Sequence, residues 1–113
     1  VVPHMVERKS GKIINIGARA GLRGSASMAA YAASKSVVIR LTESLADELK
    51  ATGVNVNCIL PSIIDTERNR ADMPNANFSQ WVAPKALAKV VHFLASEAAD
   101  PIHGAAIPVE GLS

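Results

Sequence analysis

The chain has 113 residues, of which 49% are hydrophobic and only 4% aromatic, with a formal net charge of +2. Such a length bounds it to one small domain, the apolar content supports a buried aliphatic core rather than disorder, and the charge is too small to argue for a nucleic-acid partner. The single cysteine excludes an internal disulfide and suits a reducing cytoplasm, and no apolar run reaches the length of a membrane span.

Val1 to Lys9 reads as the tail of a helix, and the opening Val1-Val-Pro-His-Met resembles the interior of a longer protein, so the chain is expected to be a fragment. Ser10-Gly11 supplies a helix stop and turn. Lys12 to Ile16 is predicted as a strand. Ile13, Ile14 and Ile16 make it nearly continuously apolar, which predicts cover on both faces. Residues 17 to 28 are a loop rich in Gly, Ala and Ser. Its glycines at 17, 21 and 24 follow a strand and precede a helix, yet their spacing is not that of a dinucleotide or phosphate-binding loop. They are read as turn residues that let the chain approach its neighbours closely.

A helix is predicted from about Met28 to Ala51, with Val38, Leu41, Leu45 and Leu49 as one apolar stripe. Glu43, Asp47, Glu48 and Lys50 fall on other faces and are read as solvated. Ala29, Ala30, Ala32 and Ala33 are expected to admit another backbone close to Tyr31. Gly53 stops the helix. Val54, Val56, Cys58 and Leu60 alternate with Asn55, Asn57 and Ile59 as a second strand, and Cys58 is expected as a small buried residue rather than a reactive thiol. Pro61 closes that strand. Residues 62 to 83, polar and long for a connection, read as an irregular lid or binding loop. Pro84 opens a helix carrying Leu87, Val90, Val91 and Leu94, Asp100-Pro101 marks its end, and Ala105 to Val109 forms a last strand.

Alternating strands and helices predict an α/β fold with parallel strands. Ligands of such sheets bind beyond the carboxyl ends of the strands. Gly17 and Pro61 lie at those ends, which brings two loops and Tyr31 to one crevice. Tyr31 and Lys35 are four residues apart, on one helix face. A phenol is a poor acid near neutrality, with an unperturbed pKa of about 10, and a neighbouring ammonium is expected to lower it, which suits proton transfer with a substrate oxygen. Taken alone, the pair is common by chance and fits an amphipathic core-edge tyrosine beside a solvated lysine; its surroundings decide. His4, His92 and His103 lack metal-ligand spacing, and no metal site is predicted. No nucleophile elbow accompanies the serines. Asp65 and Glu67 are read as loop-solvating or capping acids, with paired-carboxylate chemistry left open.

Gly11-Lys-Ile-Ile-Asn-Ile16, the loop from Gly17 to Gly24, Tyr31-Ala-Ala-Ser-Lys35, Gly53-Val-Asn-Val-Asn-Cys-Ile-Leu-Pro61-Ser-Ile-Ile-Asp-Thr66 and Gly104-Ala-Ala-Ile-Pro-Val109 follow one another in an order and spacing that closely resemble the short-chain dehydrogenase/reductase family. The resemblance covers almost the whole chain. It implies the C-terminal part of a Rossmann-like, doubly wound parallel sheet, with residues 1–113 forming the C-terminal half of one domain. It further implies NAD or NADP as cofactor, a small-molecule substrate, and a homodimer or homotetramer.

In that resemblance Tyr31 is the general acid/base. Lys35 lowers its pKa and holds the nicotinamide ribose hydroxyls. Pro61 opens the segment beside the nicotinamide, where Ile64, through its backbone, and Thr66 contact the carboxamide. Residues 67 to 83 form the substrate lid, with Trp81 as an apolar wall. Two departures stand out. The family's N-terminal glycine-rich nucleotide loop is absent, so the chain alone is expected to be inactive. Ala18 occupies the substrate-binding position where the family usually has its catalytic serine, and Ser62 replaces a usual glycine. Ala18 and the lid also resemble dihydropteridine-reductase-type members. A 3-oxoacyl-acyl-carrier-protein reductase and a non-catalytic domain serving assembly or binding are the alternatives.

Overall fold

A computed structural model describes residues 1–113. Three parallel strands, β1 (Gly11–Ile16), β2 (Val54–Pro61) and β3 (Ala106–Val109), lie in the order β1-β2-β3. Four helices accompany them: α1 (Val2–Glu7), α2 (Ala29–Leu49), α3 (Glu67–Asp72) and α4 (Pro84–Ala95). The sheet is the α/β arrangement predicted from the sequence, and no helix is long and apolar enough to cross a membrane.

The pleat of β2 decides the layers. Val54, Val56, Cys58 and Leu60 face α2, where they meet Ile39, Ala46 and Leu49. Ile59 faces the other way, into a cluster with Leu94 and Ala99 that Leu87, Val90 and Val91 of α4 complete. Both faces of β2 are thereby covered, and every residue of it except Asn55 is buried. Burial pushes the Cys58 thiol pKa up, which agrees with a packing role rather than a reactive one.

β1 departs from its predicted cover. It pairs on one side only, its residues are half-buried, and Ile16 is 53% exposed. Its isoleucines do divide between the layers, Ile13 toward α2 and Ile14 toward α4, so the apolar run was read correctly and the extent of its burial was not.

In α2 the buried stripe is Ala32, Ile39, Thr42, Ala46 and Leu49. Of the predicted stripe only Leu49 is buried, and Leu41 is 58% exposed. Small residues win because the helix packs closely on β2, and the buried Thr42 is satisfied: its hydroxyl donates to the Val38 carbonyl at 2.8 Å and accepts from Asn15 Nδ2 at 3.0 Å. Gly53 (φ +82°) makes the turn into β2 as predicted, and a Cβ there would sit 2.3 Å from the Lys9 carbonyl oxygen.

The connection predicted as irregular contains α3, capped by Thr66, whose hydroxyl accepts from the Asn69 N–H at 3.1 Å. It also contains a one-turn 3-10 helix, Phe78–Gln80, and a parallel bridge between Ile64 and Val82. Helix α4 ends at Ala95, before the predicted Asp100-Pro101, because a second 3-10 turn, Glu97–Ala99, follows it.

Candidate active site

In a parallel β–α–β unit the helix starts at the carboxyl end of the first strand. The register Ile16↔Ile59 continues into a Gly17 N–H bond to the Ile59 carbonyl at 2.9 Å, which sets Ala18 beside the end of β2 at Pro61. Residues after Ala18 coil into a 3-10 turn, Arg19–Gly21, and then lead to α2. Gly21 pins the turn to the helix. A Cβ there would lie 2.8 Å from the Lys35 carbonyl, and Ser36 Oγ donates to the Gly21 carbonyl at 2.7 Å. The close backbone approach predicted for the alanines around Tyr31 therefore occurs one turn later, at Lys35 and Ser36; Ala29, Ala30 and Ala33 are exposed. Gly24 has open space around it and needs no such explanation.

These elements enclose a cleft of about 710 Å³ at the carboxyl end of the sheet, with Ala18, Arg19, Arg23, Ser25, Tyr31 and Pro61 among its lining. Tyr31 stands in the first turn of α2, 46% exposed, and its hydroxyl makes no hydrogen bond within the protein. Lys35 Nζ lies 5.7 Å from the centroid of the Tyr31 ring, one helical turn behind it, and makes no ion pair.

Of the residues singled out in the sequence, Ala18, Tyr31 and Pro61 line one cleft, while Lys35 stands behind Tyr31 rather than on the wall. Ile64 and Thr66 continue the wall segment past Ile63. The Ile64 carbonyl accepts from Asn69 Nδ2 at 2.7 Å and its N–H donates to no protein atom, because the Ile64–Val82 bridge uses the Ile63 carbonyl and the Asp65 N–H instead. Trp81 lies in the same segment, next to the Ile64–Val82 bridge. It is 8% exposed, packs against Phe78 with ring centroids 4.8 Å apart, and is not among the residues lining this cleft. Asp65 is held by Arg70, which donates to both carboxylate oxygens at 2.6 and 2.8 Å and keeps its carboxyl pKa below the usual range. Of the two open readings of Asp65, the structural one accounts for it.

Two charged lining residues were missed in the sequence, and a third, Ser62, was noted only as a replacement for glycine. Arg19 opens the 3-10 turn and Arg23 follows it, and their signal was the pair of arginines set among the loop glycines. Ser62 Oγ donates to the Glu110 carbonyl at 2.9 Å and meets Ser113 Oγ at 2.6 Å, a long-range contact with no local sequence signal.

The free donors are of the kind the nicotinamide end of a dinucleotide needs: an unpaired N–H at Ile64, one residue past the cleft-lining Ile63, and an unpaired ammonium at Lys35, 5.7 Å from the Tyr31 ring centroid. Nothing in the chain forms a pyrophosphate cradle, since its one glycine-spaced strand-to-helix loop is packed against Lys35 at Gly21.

The family model for short chain dehydrogenases matches residues 1–77. The 3-oxoacyl-acyl-carrier-protein reductase FabG of Vibrio cholerae serotype O1 is 37% identical over 98% of this chain and 49% of its own. A gluconate 5-dehydrogenase from Burkholderia cenocepacia J2315, solved with NADP and tartrate, superposes with a TM-score of 0.86 at 33% identity, over 98% of this chain and 48% of its own. A 4-hydroxyisoleucine dehydrogenase solved with NADH superposes with the same TM-score of 0.86 at 29% identity, over 96% of this chain and 49% of its own. The chain thus spans about half the length of the relatives it matches.

Proposed function

The chain belongs to the short-chain dehydrogenase family, and from that premise we propose that the protein is a nicotinamide-dependent oxidoreductase in which Tyr31 is the general acid/base. Residues 1–113 are read as the half of one dinucleotide-binding domain that carries the reacting end. NADH or NADPH, when bound, supplies the hydride. Tyr31 gives its hydroxyl proton to the substrate atom that gains charge, and Lys35 faces the tyrosinate with a positive charge. Lys35 also offers donors to ribose hydroxyls, while the Ile64 N–H and the Thr66 hydroxyl serve the carboxamide. Pro61 ends β2 so that this wall turns past the cleft.

The observation that carries the reading is Tyr31: an exposed phenol with no partner of its own, at the carboxyl end of the strands, with an ammonium 5.7 Å from its ring centroid. Tyr31→Phe keeps the ring and removes the proton. Turnover is expected to fall by about 10²–10⁴-fold with the melting temperature unchanged. Retention of wild-type turnover on a substrate whose chemistry is slow would mean that the tyrosine is not the acid/base, whereas absence of turnover in the unaltered protein would favour the non-catalytic alternative.

A second reading concerns the substrate. Likeness to a 3-oxoacyl-acyl-carrier-protein reductase supports an oxoacyl thioester, while Ala18 in place of a hydroxyl donor argues for an acceptor whose charge is delocalised, such as a quinonoid pterin. For assembly, Val37 and Leu41 leave an apolar strip on the outer face of α2, which supports pairing with a second copy. Sedimentation as a clean monomer at micromolar concentration would count against that pairing.

A further inference from the structure

The cleft's charge carries a statement about its substrate, and this rests on the reading of that cleft as the substrate site. Arg19 and Arg23 are among its lining, and no aspartate or glutamate is. Arg19 is partly occupied. Its Nη1 donates to the Ser113 carbonyl at 2.9 Å, and its Nε lies 3.8 Å from Glu110. Arg23 has neither an ion pair nor a hydrogen bond within the protein, so its planar fork is free. The other large cleft, at the amino end of the sheet, also collects cations. There Lys12 is paired with Asp100 and Lys50 with Asp47, Arg8 and Lys9 are unpaired, and Glu97 and Asp100 share the lining, so of these two clefts only that of Tyr31 presents cations with no carboxylate in its lining.

We infer that the substrate carries an anionic group, a carboxylate or a phosphate monoester, held by Arg23 with Arg19 in support, while its reacting carbon faces Tyr31. A guanidinium binds either anion through two parallel N–H donors, and this fixes orientation as well as affinity. Apart from Tyr31 and two serines, the rest of the wall is glycine, alanine and other apolar residues, so the arginines are its only charged hold on a ligand. Arg23 is exposed, so the attraction is screened by salt and its effect belongs at the low end of charged hydrogen bonds.

The test uses the protein with its nicotinamide cofactor and two matched ligand pairs. One pair is a straight-chain oxo acid and its methyl ester, taken with two to five carbons between ketone and carboxylate. The other is dihydroxyacetone phosphate and dihydroxyacetone. Turnover is followed by nicotinamide absorbance and affinity by calorimetry. The charged member of at least one pair is expected to be favoured by roughly tenfold or more. Arg23→Gln should collapse that ratio by raising KM with little change in kcat, Arg19→Gln should lower it less, and Arg23→Lys should retain part of it. The pair that shows the preference identifies the anion. Equal handling of both members of both pairs, or a preference that survives the double Arg19→Gln, Arg23→Gln variant, overturns the inference. Where turnover is absent, calorimetry alone decides between these outcomes. Tyr31→Phe separates the two readings: it removes turnover and leaves the binding preference intact if both hold, whereas a preference accompanied by undiminished turnover refutes the acid/base and spares the anion site.

Discussion

The two ends of the sheet carry clefts of nearly equal volume, about 710 Å³ at the carboxyl end and 720 Å³ at the amino end, and they differ in what their polar groups do. At the amino end Arg8 and Lys9 are unpaired, but the buried and half-buried polar groups are spent on the fold. Asn55 Nδ2 bonds the Asp100 and Ile102 carbonyls at 2.8 and 2.9 Å. His103 accepts from the Val56 N–H at 3.3 Å through Nδ1 and meets the Ala46 carbonyl at 2.6 Å through Nε2. Just behind, Asn57 is 2% exposed, donates to the Ile102 carbonyl at 2.9 Å and accepts from the Ala105 N–H at 2.9 Å. At the carboxyl end Tyr31, Lys35, Arg23 and the Ile64 N–H have no internal acceptor or counter-charge. Size does not separate a site from a structural hollow here. The unspent groups at the carboxyl end include an uncharged proton donor, Tyr31, and stand with no carboxylate in the lining, whereas at the amino end Glu97 and Asp100 share the lining with the unpaired cations.

If that contrast is right, changes at the two ends have separable consequences. Beyond Tyr31→Phe, the largest effect is expected from Ala18→Ser. Restoring a donor to a developing oxyanion is worth about 2.7–4 kcal/mol, or up to roughly 10²–10³-fold on simple ketones, with no gain on a quinonoid dihydropterin. Robust ketone reduction by the unaltered protein, abolished by Ser25→Ala, would instead mean that a displaced hydroxyl does the work. Ser25 lines the cleft and Ser27 does not, which narrows that rival to one residue.

Asn57→Ala comes next and should act on the fold alone. It strips a partner from the Ala105 N–H and from the Ile102 carbonyl, so a loss of about 2–4 kcal/mol is expected in denaturant unfolding, with turnover per folded molecule preserved. A loss of turnover at unchanged stability would break the contrast.

The smallest effect concerns the Asp65–Arg70 pair, which ties the start of the 65–81 segment to α3. Arg70 depresses the Asp65 pKa, so the pair's contribution is present above the ordinary carboxylate range near about 4 and is lost as pH falls through the lowered value. Amide exchange across residues 65–81 should therefore be slow at neutral pH and faster than its intrinsic pH trend in acid. Arg70→Gln should show the faster behaviour at neutral pH, and identical exchange in both proteins would remove the pair from the account.

Legibility in the sequence followed the range of the interactions involved. The strands and α4 were readable because Val54, Val56 and Leu60, or Leu87, Val90, Val91 and Leu94, repeat with the period of their element. The inner face of α2 was misread because bulk was taken for burial, whereas the close packing on β2 selects Ala46 and Thr42 and leaves Leu41 outside. Helix α3 has only six residues, too few for a periodic signal, although Thr66 followed by Glu67 was a usable cap signature. At the cleft, Tyr31 and Lys35 were singled out by their spacing only together with the motifs around them. Trp81 was assigned to the wall only through the family resemblance, and its burial against Phe78, three residues away, was not anticipated. The freedom of Arg23 could not be seen either, since an unmade ion pair is a property of three dimensions.

The most direct measurement is amide hydrogen exchange of the protein with and without NADH or NADPH, read along the whole chain. The account predicts protection at residues 17–31 and 61–66, around Tyr31 and the free Ile64 N–H, with residues 8–12, 50–56 and 97–103 unchanged. Protection centred on those amino-end residues, with none around Tyr31, would contradict it.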